Sequence, residues 1–547
     1  SVLYGPNVLA GVVEVDIARG ADRQSPPRPW QVNMGVDHTG AANFGVAAGK
    51  FLETSGGSWV LRAGGGHQGR DGFVLSGKAR DEEGLNSSLL TEDGDLRLNT
   101  DANRYDGFVS ARYRSEEGAW LSLSGTGLWE ERGVAPEAHV EDPRLWRYPE
   151  QTRLITAFSS GTGQRKTPLG EGDLEISVGL DLGTTEIDQY ETPSYEEVSG
   201  EESSDDLTLT VRLMGDHSLG ERGELRGAFT YADINHDEVL DRVEENSYRQ
   251  RLWSLGTEAE WSLGGRDGFL GSKGTRFTVG FSLDGADTPK SGNKPPLGSL
   301  TDWGGRVGFT TLAGWDGLLF HGSLSRRTRF PALRELYSGA LGRFVPNPDL
   351  KPEELVGGEF GFTFTQSWIE LQSVAFYQSL ATGIVRSSVS TPEGKKYKRI
   401  NQDRIRSIGL ELLASGQVGP VGWAGDVTFQ EARGITPDGE EIKLEYEPGI
   451  AGKLSAFVPL PLDLNGGVSG RFMGEQYCEN PELGGLQAFS NSRHLDLNLS
   501  RVFGLGGEGS GRAEATMSLD NVTDSVILDQ CGLPQPGRTL RLQVRIW

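Results

Sequence analysis

Residues 207–213 read Leu-Thr-Leu-Thr-Val-Arg-Leu, with an apolar side chain at every second position. Because a β-strand sends successive side chains to opposite faces, this segment has one apolar face and one polar face. The same alternation returns in residues 495–499 and 540–546. In a membrane barrel the apolar face of such a strand contacts lipid and the polar face lines a wet lumen. The pattern therefore predicts strands of that kind.

The composition of the chain limits the classes of protein it can belong to. The chain has 547 residues, a formal net charge of −24 and a mean hydropathy of −0.41. It contains no apolar run of about 18 residues, so no membrane-spanning helix is predicted. A barrel is compatible with the low hydropathy, because its strands are only half apolar. The acidic balance argues against nucleic acid as a partner, since phosphate binding needs clustered lysine and arginine.

The connectors between the alternating segments differ in length. Short turns, rich in glycine or polar residues, are predicted at 116–118, 219–223, 264–268, 419–420 and 504–511. Longer loops rich in aspartate, glutamate, proline and serine are predicted at 67–102, 129–152, 188–206, 235–249, 327–353, 380–403, 475–490 and 521–537. Short turns at one end and long loops at the other are typical of outer-membrane barrels.

Pairing these connectors gives the strand count. The strands begin at residues 30–37 and end at residues 538–547, with about 22 in total. The sequence therefore predicts an all-β fold: a transmembrane antiparallel β-barrel of about 22 strands, with short periplasmic turns and long extracellular loops. An even count returns the C-terminus to the periplasmic side.

Two cysteines, Cys478 and Cys531, fall in successive predicted outer loops. Only the short turn at 504–511 separates the two strands between those loops, so the loops should be neighbours in space. We predict that the two residues form a disulfide, which needs an oxidising compartment such as the cell surface. Two unrelated thiols are the alternative.

Several motifs carry a resemblance to a known family. Residues 3–5 read Leu-Tyr-Gly, ahead of Ala10-Gly11 and an alternating strand. Residues 330–337 read Phe-Pro-Ala-Leu-Arg-Glu-Leu-Tyr, and residues 347–353 read Asn-Pro-Asp-Leu-Lys-Pro-Glu. Near the end stand Leu-Asp-Asn-Val-Thr-Asp at 519–524 and Pro-Gly-Arg-Thr-Leu at 536–540. In this order the stretches resemble the end of the plug, the middle of the barrel and the last two strands of TonB-dependent outer-membrane receptors.

Two positions depart from the pattern of that family. The usual Gly-Gly pair is Ala10-Gly11 here. The terminal aromatic residue, Trp547, directly follows the apolar Ile546, so it does not fall on the alternating apolar positions of the segment 540–546. A bulge, an interfacial tilt of the ring, or a chain end that is not the natural one would each explain the second departure.

The resemblance implies a domain organisation and a function. Residues 1–25 would be the C-terminal end of a plug domain, and residues 26–547 the barrel. We expect most of the plug and its energy-coupling box to be missing. The implied function is active uptake of a scarce nutrient, such as a ferric siderophore, haem or cobalamin, across the outer membrane of a Gram-negative bacterium. A plugless barrel that acts as a scaffold or pore within a larger envelope complex is the alternative.

The same resemblance implies partners. They are outer-membrane lipid and lipopolysaccharide, and the TonB–ExbB–ExbD system acting through the plug. A separate plug polypeptide and a surface lipoprotein are further expected partners.

Arginine, lysine and aromatic residues cluster in three predicted outer loops. Such side chains hold an anionic, planar ligand through charge, hydrogen bonds and stacking. Interfacial aromatic residues and ion pairs with the acidic loops are the alternative interpretation. The candidate ligand-binding residues are Trp146, Arg147, Tyr148, Arg329, Arg334, Tyr337, Arg343, Lys396 and Arg399.

Residues 191–206 contain seven carboxylates, which would suit Ca²⁺ or simply a solvated, self-repelling loop. No other cofactor is expected. The seven histidines show no metal-ligand spacing, and neither a Ser-His-Asp context nor a glycine-rich phosphate loop is found. We therefore expect no metal site among the histidines, no catalytic residues and no enzymatic activity.

Overall fold

A computed structural model describes most of the chain. The described residues are Leu3, Gly5, 27–91, 96–263, 274–313, 315, 317–339, 342–392, 394–480, 485–489, 491–506 and 511–547, apart from the side chains at 244 and 480. Within them, 22 antiparallel strands form one closed sheet. The predicted fold class and strand number are confirmed.

Each of the 22 barrel strands pairs with the next along the chain. The strands are β1 Trp30–Asp37, β2 Ala42–Thr54, β3 Gly57–Arg70, β4 Ala102–Ser115, β5 Trp120–Gly133, β6 Trp146–Gly161, β7 Gly170–Tyr190, β8 Val198–Leu219, β9 Gly223–Leu240, β10 Glu244–Leu263, β11 Thr275–Ser291, β12 Leu300–Leu312, β13 Leu318–Arg329, β14 Glu353–Gln366, β15 Ile369–Thr391, β16 Gly394–Val418, β17 Val421–Ile435, β18 Ile450–Leu460, β19 Leu464–Met473, β20 Ser492–Gly504, β21 Arg512–Asp520 and β22 Thr539–Ile546.

The ring closes between its first and last strands. Val32 of β1 stands opposite Ile546 of β22, and the pairing continues to Asp37 opposite Arg541. Closure satisfies the backbone hydrogen bonds of both edges, which a strand in lipid requires. In the described residues, no helix is long and apolar enough to span a membrane.

The period-2 pattern places apolar side chains on the outer face of the wall. In the register of β8, β9 and β10, Phe229 stands opposite both Leu213 and Leu255, and all three side chains are exposed. The adjacent positions Arg212 and Thr230 alternate with them and therefore face the lumen. An apolar exterior around a polar interior is the arrangement expected of a membrane barrel.

The two ends of the barrel differ as predicted. At the periplasmic end the turns are short, for example at 55–56, 220–222, 367–368 and 419–420. At the other end long connections span 71–101, 134–145, 330–352, 436–449, 474–491 and 521–538. The predicted turn at 264–268 lies outside the described residues, as does part of the turn at 504–511.

Three stretches predicted as loops are mostly strand, which is a correction. β7 runs to Tyr190 and β8 starts at Val198, so much of 188–206 is paired. Similarly, β9 and β10 occupy most of 235–249, and β15 and β16 most of 380–403. Their polar composition suggested loops, but above the bilayer a hairpin needs no apolar face. The ladder of backbone hydrogen bonds continues there regardless of side-chain hydropathy.

The predicted plug segment lies largely outside the described residues. Of residues 1–25, only Leu3 and Gly5 are described. The Leu3 side chain is buried against Ala228 on the inner wall, and Arg212 donates a hydrogen bond of 3.2 Å to the Leu3 carbonyl. Leu3 therefore lies inside the lumen. The domain boundary near residue 25 stays a prediction.

Trp547 occupies a defined place at the periplasmic end. Its backbone and that of Arg512 exchange hydrogen bonds of 2.7 and 2.9 Å beyond the last residue of β22. The guanidinium carbons of Arg28 and Arg545 lie 4.8 and 5.0 Å from the centre of its ring. Cation–π contacts therefore hold this out-of-phase aromatic ring.

Candidate functional site

A cavity of about 1240 Å³ opens among the extracellular connections, and we call it the vestibule. Its walls come from the loops 134–145, 330–352, 436–449, 474–491 and 521–538, together with the tops of the hairpins β7–β8 and β15–β16. Long strands that continue above the bilayer thus supply part of the rim, and the loops supply the rest.

Five of the nine candidate ligand-binding residues line the vestibule. They come from β6, the loop 330–352 and β16, which are far apart in sequence. The five are Trp146, Arg334, Arg343, Lys396 and Arg399.

The other four candidates have local partners and are not among the described lining residues. Arg147 binds Asp101 and Asn99, with its shortest contact to Asp101 at 2.5 Å. The Tyr148 ring lies under the Arg132 guanidinium, 4.5 Å from its carbon.

Arg329 and Tyr337 hold the loop 330–352 against the inner wall. Arg329 donates two 3.0 Å hydrogen bonds to Glu335 and also binds Glu353. The Tyr337 ring is fully buried and stacks on Tyr248, with ring centres 5.6 Å apart. The structure therefore gives these two residues structural contacts, and their predicted role in ligand binding stays untested.

One wall of the vestibule carries two adjacent aromatic rings, each in contact with an arginine. The Arg386 guanidinium lies 4.5 Å from the centre of the Tyr397 ring, which lies 5.7 Å from the ring of Phe344. The Arg399 guanidinium lies 5.4 Å from the centre of the Phe344 ring. We call these four residues the cation–aromatic ladder.

Of the four ladder residues only Arg399 is among the nine candidates; Tyr397 lies inside the same basic run, whereas Arg386 and Phe344 lie outside it. Phe344 reaches the ladder because residues 344–345 pair in parallel with Tyr397 and Lys398 of β16. Arg386 stands directly opposite Arg399 in the register of β15 and β16. A sequence analysis that paired β15 with β16 in the observed register would have identified Arg386 as the neighbour of Arg399. No local sequence pattern indicates the contact of Phe344 with Tyr397.

The described lining of the vestibule has an excess of positive charge, although the whole chain carries −24. Seven arginine or lysine residues face five carboxylates. The two sets are Arg144, Arg334, Arg343, Arg386, Lys395, Lys396 and Arg399, against Glu137, Asp142, Glu191, Glu445 and Glu479.

Some of these charges also order the walls. Arg343 donates a 2.9 Å hydrogen bond to the Asp142 carbonyl, joining loops 330–352 and 134–145. Arg386 lies 3.6 Å from the Glu445 carboxylate in the loop 436–449. Burial, together with the neighbouring Glu445 charge, raises the pKa of the Tyr446 phenol, so the ring stays neutral at physiological pH.

A buried arginine, Arg97, fastens the wall loops to one another. It donates hydrogen bonds to the carbonyls of Leu90 at 3.1 Å and Pro136 at 2.5 Å, and also to that of Leu89. Burial lowers the pKa of this guanidinium to about 10, because desolvation disfavours the charged form. The contacts tie the loop 71–101 to the loop 134–145 that lines the vestibule.

The predicted disulfide is confirmed. Cys478 and Cys531 are bonded, with Cα atoms 6.3 Å apart, and they join the loop 474–491 to the loop 521–538. Cys531 itself lines the vestibule.

The carboxylates of residues 191–206 bind several different basic partners. Glu201 pairs with Arg242, Glu202 lies 3.8 Å from Arg334, and Asp206 accepts a hydrogen bond of 2.8 Å from Nδ1 of His236. The suggested Ca²⁺ site in these loops stays a prediction.

Comparisons with known proteins place this geometry in context. The family model "TonB dependent receptor-like, beta-barrel" matches residues 54–477. No protein with a curated description matches the sequence.

Solved structures resemble the chain in fold. "Copper transporter OprC" has a TM-score of 0.74 at 14% identity, covering 94% of this chain and 82% of that one. The FrpB iron transporter from Neisseria meningitidis (F3-3 variant) has a TM-score of 0.72 at 14% identity, covering 95% and 82%. The Serratia marcescens hemophore receptor HasR, in complex with its hemophore HasA and heme, has a TM-score of 0.67 at 12% identity, covering 94% and 80%. At these identities the likeness is one of fold.

Proposed function

The chain belongs to the TonB-dependent receptor family and is a barrel of the outer membrane of Gram-negative bacteria, and from this we propose that it binds a scarce nutrient as an anionic metal complex for active uptake. A ferric siderophore, haem or a cobalamin-like compound is the class of ligand we expect. The vestibule is the proposed binding site.

The observation that carries the proposal is the charge of the vestibule. A chain with a net charge of −24 would repel an anion from most of its surface, yet seven cations face five carboxylates in this one cavity. A recessed region of opposite charge attracts and orients an anionic ligand. The excess therefore favours an anion over a cation or a neutral sugar.

The cation–aromatic ladder supports a planar or aromatic component in that ligand. The flat faces of Tyr397 and Phe344 offer stacking surfaces, and the guanidinium groups of Arg386 and Arg399 offer paired donors. Chelates with aromatic or conjugated donors present both an anionic edge and a planar face.

The related structures favour metal-associated cargo. They are a copper transporter, an iron transporter, and a hemophore receptor bound to its hemophore and heme.

Energy coupling follows from the family. We propose that the TonB–ExbB–ExbD system acts on a plug whose end is residues 1–25. The position of Leu3, buried against the inner wall beside Ala228, supports such a segment inside the lumen. Lipopolysaccharide around the barrel, a separate plug polypeptide and a surface lipoprotein stay proposals of the same kind.

The test is direct ligand binding by the purified full chain in detergent. Ferric catecholate and hydroxamate chelates, haem and cobalamin would be titrated while tryptophan fluorescence is recorded, since Trp146 lines the cavity. We expect saturable binding of at least one anionic complex, with an affinity that falls as salt is raised.

Two variants make the test specific to the vestibule. Replacing Lys396 and Arg399 together by alanine should weaken binding at least tenfold, or about 1.4 kcal/mol. The matched control is Arg222→Ala, in the periplasmic turn 220–222 at the opposite end of the barrel. Absence of binding by every complex, or equal losses in both variants, would contradict the proposal and favour a scaffold or pore.

A further inference from the structure

A group of three potential metal ligands lies at the edge of the vestibule. In the part of the chain that the structure describes, His139, Cys478 and Cys531 are the one set whose ligand atoms all lie within 4.8 Å of one another. His139 and Cys531 line the vestibule, and both cysteines are buried. The three residues come from the loops 134–145, 474–491 and 521–538.

The backbone brings the histidine to the cysteines. The Ala138 amide donates a 2.9 Å hydrogen bond to the Gly532 carbonyl, which places the loop 134–145 directly over the residue that follows Cys531. Gly532 has a φ of +68°, and a Cβ atom at this position would clash with Nδ1 of His139 and lie 2.7 Å from the Ala138 amide nitrogen. The glycine therefore permits the close approach of the imidazole to the disulfide.

We propose that Cys478, Cys531 and His139 form a site for a thiophilic metal ion, Zn²⁺ or Cu⁺, once the disulfide is reduced. The disulfide form and the metal form would be two alternative ways of joining the same loops. This inference concerns the rim of the vestibule and does not depend on which nutrient the vestibule takes.

The chemistry balances with a dithiol as the reductant. The dithiol transfers two electrons and two protons to the protein disulfide, so the S–S bond breaks, two cysteine thiols form and the dithiol becomes a cyclic disulfide. A metal ion then binds both sulfurs as thiolates and one imidazole nitrogen, and the two thiol protons are released to solvent.

The distances suit this change. Sulfur and nitrogen ligands at about 2.3 and 2.0 Å from a tetrahedral ion lie about 3.5–3.8 Å from one another. Breaking the S–S bond lets the two sulfurs separate by that amount, and the imidazole nitrogen, within 4.8 Å of both sulfurs, has to approach by at most about 1.3 Å. Two thiolates and one imidazole form a donor set that Zn²⁺ and Cu⁺ favour.

A fourth coordination position would be open to the cavity, because His139 and Cys531 both line it. Sites with three protein ligands and one open position exchange that position with water or with an added ligand. The bound ion would also add positive charge to the vestibule.

The test is metal binding by the folded, full chain before and after reduction. A non-thiol phosphine that itself binds metal poorly would be the reductant in vitro, followed by its removal without oxygen. Co²⁺ serves as the optical probe, since thiolate-to-cobalt absorption reports sulfur ligation, and Zn²⁺ competition against a chelating dye gives the affinity. We expect one equivalent of Co²⁺ with sulfur charge-transfer bands in the reduced protein, displaced by Zn²⁺, and no such bands in the oxidised protein.

Variants separate the site from adventitious thiol binding. His139→Ala should lower the Zn²⁺ affinity of the reduced protein at least tenfold, and the Cys478→Ser, Cys531→Ser double variant should abolish the Co²⁺ bands. The control His217→Ala, at the periplasmic end of β8, should leave both unchanged. Unheated electrophoretic mobility would verify that each variant is a folded barrel.

Two outcomes would overturn the inference. One is a reduced wild type that binds Zn²⁺ no more tightly than the double cysteine variant. The other is a His139→Ala protein that keeps wild-type affinity, since the cysteines alone would then account for the binding. Neither result bears on nutrient binding, which the titrations of anionic complexes test separately.

Discussion

The Arg386 guanidinium stacks over the Tyr397 ring at 4.5 Å, on a hairpin that stands above the membrane. Arg386 also lies 3.6 Å from the Glu445 carboxylate. The arginine thus covers an aromatic face and balances a negative charge at the wall of the vestibule. Its removal would leave Glu445 facing the cavity without that partner.

Replacing Arg386 by methionine should therefore weaken binding of an anionic ligand. Loss of one cation and exposure of one carboxylate act in the same direction, and we expect about a tenfold loss, or about 1.4 kcal/mol. Titration of the anionic complex at low and high salt would measure it. The further exchange Glu445→Gln in the same chain should recover part of the affinity. No recovery, together with an unchanged salt dependence, would show that the charge of this pair does not act on the ligand.

Replacing Gly532 by alanine should loosen the rim of the vestibule. The new Cβ atom meets both a left-handed φ of +68° and a clash with the residues 138–139. We expect a cost of about 1–3 kcal/mol from the backbone conformation, increased by the clash. Limited proteolysis of the outer loops would report the change.

Gly439 offers a matched control for the Gly532 substitution. Its φ is +84°, and nothing lies within 4 Å of the position of its Cβ atom. Gly439→Ala therefore carries the backbone strain without the clash, and its loops should be cut more slowly than those of Gly532→Ala. Equal cleavage rates would mean that the contact with His139 has no energetic weight.

Replacing Arg97 by methionine should separate two of the wall loops. The variant keeps an unbranched side chain but removes the donor to the carbonyls of Leu89 and Pro136, at roughly 2–4 kcal/mol. Hydrogen exchange in residues 71–91 and 134–145 should rise. Arg80→Met is the control, because Arg80 is exposed and its side chain binds the Thr91 hydroxyl at 3.1 Å. Similar exchange in the two variants would contradict the role assigned to Arg97.

Two substitutions of Tyr337 should have graded effects on the loop 330–352. Tyr337→Phe removes the hydroxyl that accepts a 3.0 Å hydrogen bond from the Leu297 amide, at about 1 kcal/mol. Tyr337→Ala also removes the ring stacked on Tyr248, at roughly 3–5 kcal/mol. Protease sensitivity of the loop, measured as the temperature is raised, would show which variant is destabilised more. Equal effects of both variants would show that the stack contributes little.

The barrel could be predicted from sequence because each wall strand obeys a local rule. Leu213 faces lipid, and its neighbour in the chain, Arg212, faces the lumen. The alternation can therefore be recognised from adjacent residues. The same rule stops at the surface of the bilayer. Above it, β9 continues through Asp237 and Glu238 without an alternating apolar face, and its backbone hydrogen bonds to β10 continue there.

The vestibule was only partly predictable for a different reason. Lys396 and Arg399 belong to a run of basic residues that composition reveals. Phe344 enters the ladder through a two-residue parallel pairing with β16, which no local pattern specifies. Tyr337 has the residue type of a ligand contact but is buried in a stack, since composition cannot distinguish a side chain that faces a cavity from one that faces a wall.

The pairing of Val32 with Ile546 has a kinetic consequence. Contacts between residues at opposite ends of a sequence form late, because the entropy of closing such a loop is lost before the contact is gained. Until β22 docks, the sheet has two unsatisfied edges, at β1 and at the latest strand to form, and open edges invite pairing with other chains. Assembly of this barrel therefore passes through an open sheet whose edges can pair with other chains. Protection of the β1 edge until β22 pairs with it determines the yield of closed barrel.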